Sequence, residues 1–399
     1  MDRDALRMVC SPQFWRMGVL WTLSLLYSYL LLFLRGWTAA PRRREDVGRG
    51  RRPICVVTGV ILNCPNRSVC LFYRIITTVF HGAPPSDGAP SMVCDGSQAT
   101  SGLGRAAAAA LAREGYSVVL AGRSAQLLSE TAKEIRRQQP DACLEAFQVD
   151  LSSYRSIKKF EASLNQWIRD SNLEPSIQLL INNAGMLAKS HRVTEDGIDE
   201  VMQTNYIGPF ILTSILLPLL KNSPVPSRVV NLTSFTHRCV SEIDVSEEAL
   251  QGVKFGQHSV GGSYPLASTY EYTKFCLLVF SYELHRQLHI SSGISVMAAD
   301  PGVIETRIMR ELPPCLSQFA FFILRTLNLL QQPDTGIGAV LDAALAPPEA
   351  SGKYFFGGKG RTIRSSVLSY DIEVAKKLWA ASSALLQELR LRDCELRTG

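Results

Sequence analysis

Tyr270 and Lys274 stand four residues apart in the run Tyr270-Glu271-Tyr272-Thr273-Lys274. In a helix that spacing puts both on one face. An ammonium beside a phenol favours the phenolate and lowers a Tyr pKa from about 10 toward the working range of a general acid/base. Such a pair could pass a proton to or from an oxygen. The pattern alone is common, and Tyr154 and Lys158 share it. Position separates the two pairs. Tyr154 follows the strand-like run Leu144–Val149, whereas Tyr270 follows Arg228–Leu232 and its Thr233-Ser234 end. Ligands of open α/β sheets bind at the carboxyl ends of strands. Ser234 could hydrogen-bond a substrate oxygen there. Taken singly, Thr233 and Ser234 read as turn formers and Tyr270 as a core aromatic.

A second chemistry lies near the start of the body. Ile54–Thr58 reads as a strand and Leu103–Glu114 as an Ala-rich helix. Thr58-Gly59 and Ala99-Thr100-Ser101-Gly102-Leu103-Gly104 form the turn between them once an intervening stretch is set aside. A strand, a Gly-rich turn and a helix N-terminus suit a pyrophosphate, because free N–H groups and the helix dipole attract the anion. The next strand ends in Ala121-Gly122-Arg123. An acid there would bind a ribose 2′-hydroxyl, whereas an Arg can pair with a 2′-phosphate. Arg123 thus points to NADP(H) over NAD(H), unless it is only a solvated Arg opening a helix. Asp150 ends the third strand and could hold the adenine edge or equally cap the next helix.

These residues need a frame. Strand-like runs are Ile54–Thr58, Ser117–Ala121, Leu144–Val149, Ile177–Ile181, Arg228–Leu232, Ile294–Ala298 and Lys353–Phe356. Helical periodicity covers Leu103–Glu114, Ala125–Gln138, Ser153–Arg169, Gly197–Leu220 and Ser268–Leu288. Alternating β and α elements predict a parallel sheet with helices on both faces. The expectation is an α/β, doubly wound fold of about seven strands. The 399 residues allow one large domain or two. With 46% hydrophobic residues, wholesale disorder is excluded.

The pieces occur in the order of a known family. Thr58-Gly59 with Ser101-Gly102-Leu103-Gly104, Asn182-Asn183-Ala184-Gly185 after a strand, Asn205 in T-N-Y-I-G, Ser234, Tyr270 with Lys274, and Asp300-Pro301-Gly302 with Thr306 span residues 54–360. The chain resembles a short-chain dehydrogenase/reductase, and LLINNAGML and RVVNLTSFTHR resemble its retinol-dehydrogenase-like branch. The resemblance implies a Rossmann fold and an oxidoreductase that interconverts an alcohol and its carbonyl compound by hydride transfer. It implies that Tyr270 is the proton donor and acceptor, and that Lys274 lowers its pKa and holds the nicotinamide ribose. Ser234 would orient the carbonyl, and Asn205 would anchor a proton-relay water. Asn183 and Gly185 would line the cofactor, with Pro301, Gly302 and Thr306 around the nicotinamide amide. The separation of Ser234 from Tyr270 is longer than usual for that family, and a loop with Gly256, Gly261, Gly262 and Pro265 takes up the excess.

Val60–Gln98 breaks the alternation with 39 residues that contain Pro65, Pro84, Pro85 and Pro90 and no helical period. Long structureless loops inside compact domains are uncommon. The stretch reads as a translated, retained intron: every Val codon begins GT, a Gln codon can end AG, and its removal restores the Gly-rich loop. The alternative is a genuine surface insertion. Chain entropy would permit that, since the longer loop costs only about 2–2.5 kcal/mol. Geometry is the harder objection, because Gly59 must stay within one turn of Gly102 and nothing in the insert enforces it. With this insert the cofactor loop is split, so a catalytically impaired splice product is the alternative to an active enzyme.

Met17–Leu34 holds 18 uncharged residues between Arg16 and Arg35. As a helix it would be roughly 27 Å long, enough to cross a bilayer core of about 30 Å. Thr38-Ala39-Ala40 would suit a signal-peptide cleavage site, but the apolar run is long for one. Three Arg precede the segment and seven follow it by residue 52. The positive-inside rule then places the body in the cytosol. The expectation is a single-pass protein, with the endoplasmic reticulum as its membrane. Its parts would be an anchor and Arg-rich linker (1–52), a dinucleotide-binding domain (53–399) and the insert (60–98). Outside residues 1–52, basic and acidic residues balance at 32 each, which argues against nucleic acid as a partner. The ten Cys form no C-x-x-C and no Cys/His cluster. They read as reduced thiols, with no zinc site. The sequons at Asn66 and Asn231 would stay bare in the cytosol. Pro313–Leu330 is nearly all apolar, either a buried helix or a lid touching a lipophilic substrate. Nothing in the sequence specifies an oligomer.

Overall fold

The computed structural model describes residues 11–34, 52–60, 102–253, 255, 264–288, 292–304, 314–331 and 336–398. Ser101, Thr306, Gly256, Gly261 and Gly262 lie outside the described residues, as do nearly all of the insert and of the Arg-rich linker. The elements are α1 (Pro12–Leu34), β1 (Ile54–Thr58), α2 (Leu103–Arg113), β2 (Ser117–Gly122), α3 (Ala125–Gln138), β3 (Leu144–Gln148), α4 (Tyr154–Asp170), β4 (Leu179–Asn182), α5 (Gly208–Lys221) and β5 (Ser227–Leu232). They continue with α6 (Leu266–Gln287), β6 (Ile294–Asp300), β7 (Val303–Ile304), α7 (Pro314–Thr326), β8 (Leu330–Gln331), α8 (Gly338–Ala344), β9 (Tyr354–Phe356) and α9 (Ile372–Thr398).

Seven strands pair in parallel in the order β3-β2-β1-β4-β5-β6-β9. Strand periodicity divides the core into two layers. Ile54 and Val56 join the cluster around Phe160, Phe210 and Phe280 on one face. Cys55 and Val57 join the cluster around Leu111, Leu128 and Val340 on the other. Every residue of β1, β5 and β6 is buried, as expected of strands covered by helices on both faces. Chain order reverses between β1 and β4, and the loops leaving those strands diverge to open a crevice. The expected doubly wound Rossmann fold of about seven strands is therefore the observed one.

The predicted helix Gly197–Leu220 is interrupted. Glu200–Met202 is helical, Gln203–Ile207 forms a π-turn, and α5 follows. The wider turn brings the Asn205 side chain inward, where it donates to the Met186 carbonyl at 2.9 Å and accepts from the Met186 N–H at 2.8 Å. Such bulges concentrate at functional sites. Hydrophobic periodicity carries no trace of it, because the face stays apolar on both sides.

The flanks of the insert converge. The Asn183 amide, just after β4, donates to Thr58 O at 2.8 Å and Gly59 O at 3.3 Å. A Cβ built on Gly104 would lie 2.9 Å from Gly59 O and 2.7 Å from Asn183 Nδ2. The two halves of the Gly-rich turn thus meet on Asn183. What holds Gly59 beside the start of α2 comes from the residue that follows β4.

The N-terminal helix lies along the body. Met17, Trp21, Ser24, Leu25, Ser28 and Leu32 recur at helical spacing and face inward. Ser24 Oγ donates to Phe235 O at 2.6 Å, Arg238 Nε donates to Ser28 Oγ at 3.2 Å, and Gln331 Nε2 donates to Tyr29 Oη at 2.8 Å. Val19 and Leu23 are exposed, and Leu26, Leu30 and Phe33 are exposed on the other side. The sequence assigned this helix a membrane role alone, because two serines within a run of leucines do not announce a packing stripe.

Gly59 has φ +70°, and a Cβ there would come within 2.7 Å of Ala184 Cα. Gly59→Ala should therefore lose at least about 2 kcal/mol of stability. Thermal melts check this, and a midpoint within about 1 °C of the parent would contradict the strain.

Candidate active site

A cavity of about 940 Å³ opens at the carboxyl ends of the strands. At one end the turn residues Gly59, Gly102, Leu103 and Gly104 line it. Gly102 is the N-cap of α2 and provides no side-chain cap. The first N–H groups of a helix have no intrahelical acceptor, so this end suits an anion. Gly122 and Arg123 line the next part. Arg123 faces Glu200 at a loose 3.8 Å, and Glu200 also pairs with Arg192.

Asp150 also lines the cavity. Its Oδ1 accepts from the Ser152 N–H at 2.9 Å and the Ser152 hydroxyl at 2.6 Å. Ser153, not Asp150, caps α4. The capping alternative for Asp150 therefore falls to a neighbour. Asn183 and Gly185 line the wall formed after β4. A Cβ on Gly185 would sit 3.2 Å from Lys274 Nζ, so the backbone passes directly over that ammonium.

Ser234, Tyr270, Lys274, Pro301 and Gly302 complete the middle of the cavity. Ser234 lies just beyond β5 and caps a short 3₁₀ turn, accepting from the Thr236 N–H at 3.3 Å. Tyr270 and Lys274 reach the cavity from α6. Tyr154 is buried in the core beneath the sheet and does not line the cavity. Two pairs of identical spacing are thus separated by where their helices lie. Asn205 sits one layer behind, fully buried, with its amide also donating to Thr273 Oγ1 at 3.1 Å. Three of its hydrogen bonds are made within the protein, and they tie α6 to the loop after β4.

The electrostatics differ from the simple expectation. Burial raises Tyr270 above its ordinary value; the Asp300 carboxylate adds to this and the Ser234 hydroxyl opposes it. Burial lowers Lys274 to about 8, with Asp300 pulling the other way. Lys274 Nζ donates to Leu232 O at 2.8 Å and lies 5.8 Å from the centre of the Tyr270 ring. The ammonium is aimed at a backbone carbonyl and the ring face, and burial keeps the Tyr270 phenol protonated at neutral pH. The group that tunes both is Asp300, which sequence reading passed over as the opening of D-P-G. Burial raises Asp300 to about 6, against hydrogen bonds from Tyr354 Oη at 2.6 Å and the Gly302 N–H at 2.8 Å.

Comparison with known proteins identifies the family. Residues 98–241 match the short chain dehydrogenase family. Human retinol dehydrogenase 13 is 32% identical over 296 residues, which is 72% of this chain and 82% of the relative. The chain is a short-chain dehydrogenase/reductase. Human polyprenol dehydrogenase is 29% identical, covering 75% of this chain and 85% of its own length. A crystal structure of a protein from Mycobacterium paratuberculosis superposes with a TM-score of 0.52 at 26% identity, over 72% of this chain and 90% of that one. As a member of this family the chain is an oxidoreductase acting on CH–OH groups, and its fold binds a nicotinamide cofactor. The glycine-lined end of the cavity fits the dinucleotide's phosphates.

Asp300 gives this short-chain dehydrogenase/reductase a measurable pH signature. An unfolded Asp ionises near 3.8 and the folded Asp300 near 6. Between those values the native state keeps a proton that the unfolded state has lost, so stability falls as pH rises through the window. Asp300→Asn should remove that fall, worth up to about 3 kcal/mol. Denaturant midpoints at about pH 4 and pH 6 measure it. Parallel pH slopes in parent and variant would show that Asp300 is not the group responsible.

Proposed function

We propose that the enzyme interconverts a lipophilic alcohol and its carbonyl compound with NADP(H), using Tyr270 as general acid/base. The observation that carries this reading is the meeting of Ser234, Tyr270 and Lys274 in the same cavity as the glycine-lined turn. When bound, the nicotinamide donates or accepts the hydride. Ser234 would hold the substrate oxygen by a hydrogen bond. Tyr270 would give that oxygen its proton on reduction and take it back on oxidation. A phenol kept protonated by burial is in the right state to donate. Lys274, charged below about pH 8, would stabilise the phenolate as it forms and reach the nicotinamide ribose. Asn205 acts as a positioning residue through its bonds to Met186 and Thr273. Leu103, Asn183, Gly185, Pro301 and Gly302 would bed the cofactor, and Asp150 would lie at its adenine edge. Ser101 and Thr306 are assigned to the same bed on sequence alone.

The place of Arg123 on the cavity wall supports NADP(H) over NAD(H), since its guanidinium can pair with a 2′-phosphate. Apolar residues at the other end of the cavity, among them Trp21, Leu316, Phe321 and Leu324, support a lipophilic substrate. So do the names of the retinol and polyprenol dehydrogenase relatives. The exposed apolar face of α1 supports attachment to a membrane. We assign that membrane to the endoplasmic reticulum and the body to its cytosolic side. The seven Arg after α1 favour that side whether the helix crosses the bilayer or lies in its surface. Asn231 is fully buried in β5 and would be closed to glycosylation on either side.

A second reading is an impaired splice product. It is favoured by the place of the insert, between two glycines that touch the same amide of Asn183. In that reading residues 60–98 are a retained intron, and deleting them should raise NADPH affinity. In the deleted form Arg123→Asp should move preference toward NADH. Titration of both cofactors checks both statements. Equal NADPH affinity with and without 60–98 would reject the impairment, and an unchanged cofactor ratio would reject the role of Arg123.

Tyr270→Phe keeps the ring and removes the hydroxyl, so folding and NADPH binding should persist. Turnover should drop about 10²–10⁴-fold. Tyr154→Phe should stay within a few-fold of the parent. Single-turnover oxidation of NADPH with a long-chain aldehyde measures both. Retained activity in Tyr270→Phe would overturn the assignment.

A further inference from the structure

The cavity is larger than the cofactor bed and the reacting groups, and α1 provides one of its walls. We propose that α1 is part of the substrate site and selects for long, flexible apolar chains, with Trp21 as a specificity-determining residue and Gly18 as the gap through which the chain passes. This deepens the functional reading above and rests on its placement of Ser234 and Tyr270.

The helix is tied to the residues that follow the two reacting hydroxyls. Ser24 Oγ bonds Phe235 O, one residue after Ser234, at 2.6 Å. Trp21 Nε1 donates to Glu271 Oε1, one residue after Tyr270, at 2.7 Å. Glu271 is 2% exposed, and Arg16 closes its other oxygen at 3.3 Å. A carboxylate this buried is stable only with partners, so the Trp21–Glu271–Arg16 contact holds the helix in place rather than decorating it. The Trp21 ring consequently lies 5.7 Å from the Tyr270 ring, tilted by 44°. In the proposed site the carbon chain of a substrate whose oxygen meets Tyr270 runs past that indole.

Gly18 sits in the middle of the wall. Phe14, Gly18, Trp21 and Leu25 line the cavity at the spacing of one helical stripe, and Trp15, Val19 and Leu23 of the same helix border it as well. Each contributes a side chain except Gly18. A Cβ there would meet nothing within 4 Å. Leu316, Phe321 and Leu324 of α7 form the other apolar wall. The gap is therefore bordered by apolar groups, and a flexible hydrocarbon chain is the ligand that gains most by filling it. Elsewhere on α1, Leu26 faces away and does not line the cavity.

The test uses the full-length chain in membranes. The readouts are the ratio of kcat/KM for dodecanal to that for butanal, and equilibrium binding of farnesol, which needs no turnover. Gly18→Leu places a side chain in open space, in a helix that favours Leu over Gly. It should lower the dodecanal/butanal ratio by at least about tenfold, through KM rather than kcat, and weaken farnesol binding similarly. Trp21→Ala should lower the ratio too, while Leu26→Phe should leave it unchanged. An unchanged ratio and unchanged farnesol binding in Gly18→Leu would overturn the proposal, because α1 would then stand away from the site in the membrane. Farnesol binding blocked by Gly18→Leu, alongside full activity in Tyr270→Phe, would keep the wall and reject the proton assignment.

Discussion

The side-chain amide of Asn183 governs the arrangement of the cofactor half. It reaches from the end of β4 to the carbonyls of Thr58 and Gly59 and sits against Gly104. Only glycine can stand at 59 and 104, because any Cβ would collide with backbone or with that amide. The contact aligns β1, α2 and the loop after β4 on one point. The glycine-lined end of the cavity and the approach of Gly185 to Lys274 both follow from it.

The reacting half depends on buried charge. Lys274 and Asp300 are both almost wholly buried, and burial pushes each toward its neutral form. Each opposes the effect on the other. Asp300 raises the Lys274 pKa against the effect of burial, and hydrogen bonds from Tyr354 and Gly302 offset the desolvation of Asp300. Tyr270 lies in the same field and stays protonated. In the proposed reaction such a phenol would act in both directions, with the ammonium stabilising its anion.

The N-terminal helix joins the membrane question to the active site. Its outward face is apolar and exposed, while its inward face bonds the residues beside Ser234 and Tyr270. Attachment and substrate selection can therefore reside in the same helix. The exposed Phe322, Ile323 and Leu327 at α7 extend the apolar surface beside the mouth of the cavity.

Alternation of strand and helix, the glycine turn and the i, i+4 pairing of Tyr270 with Lys274 were all legible in the sequence. Each depends on neighbours along the chain, and local periodicity reports such features directly. The choice between Tyr270 and Tyr154 was also legible, because strand ends place ligands. Other features needed the folded chain. The inward turn of Asn205 arises from a π-turn that leaves no periodic signature. Asp300 acquires its influence only when β6 brings it beside α6. Trp21 and Glu271 are 250 positions apart and meet because the helix docks at the carboxyl end of the sheet. An apolar run states that a segment will leave water. It does not state whether lipid or protein will cover it, since both reward the same burial and only shape and a few polar contacts distinguish them.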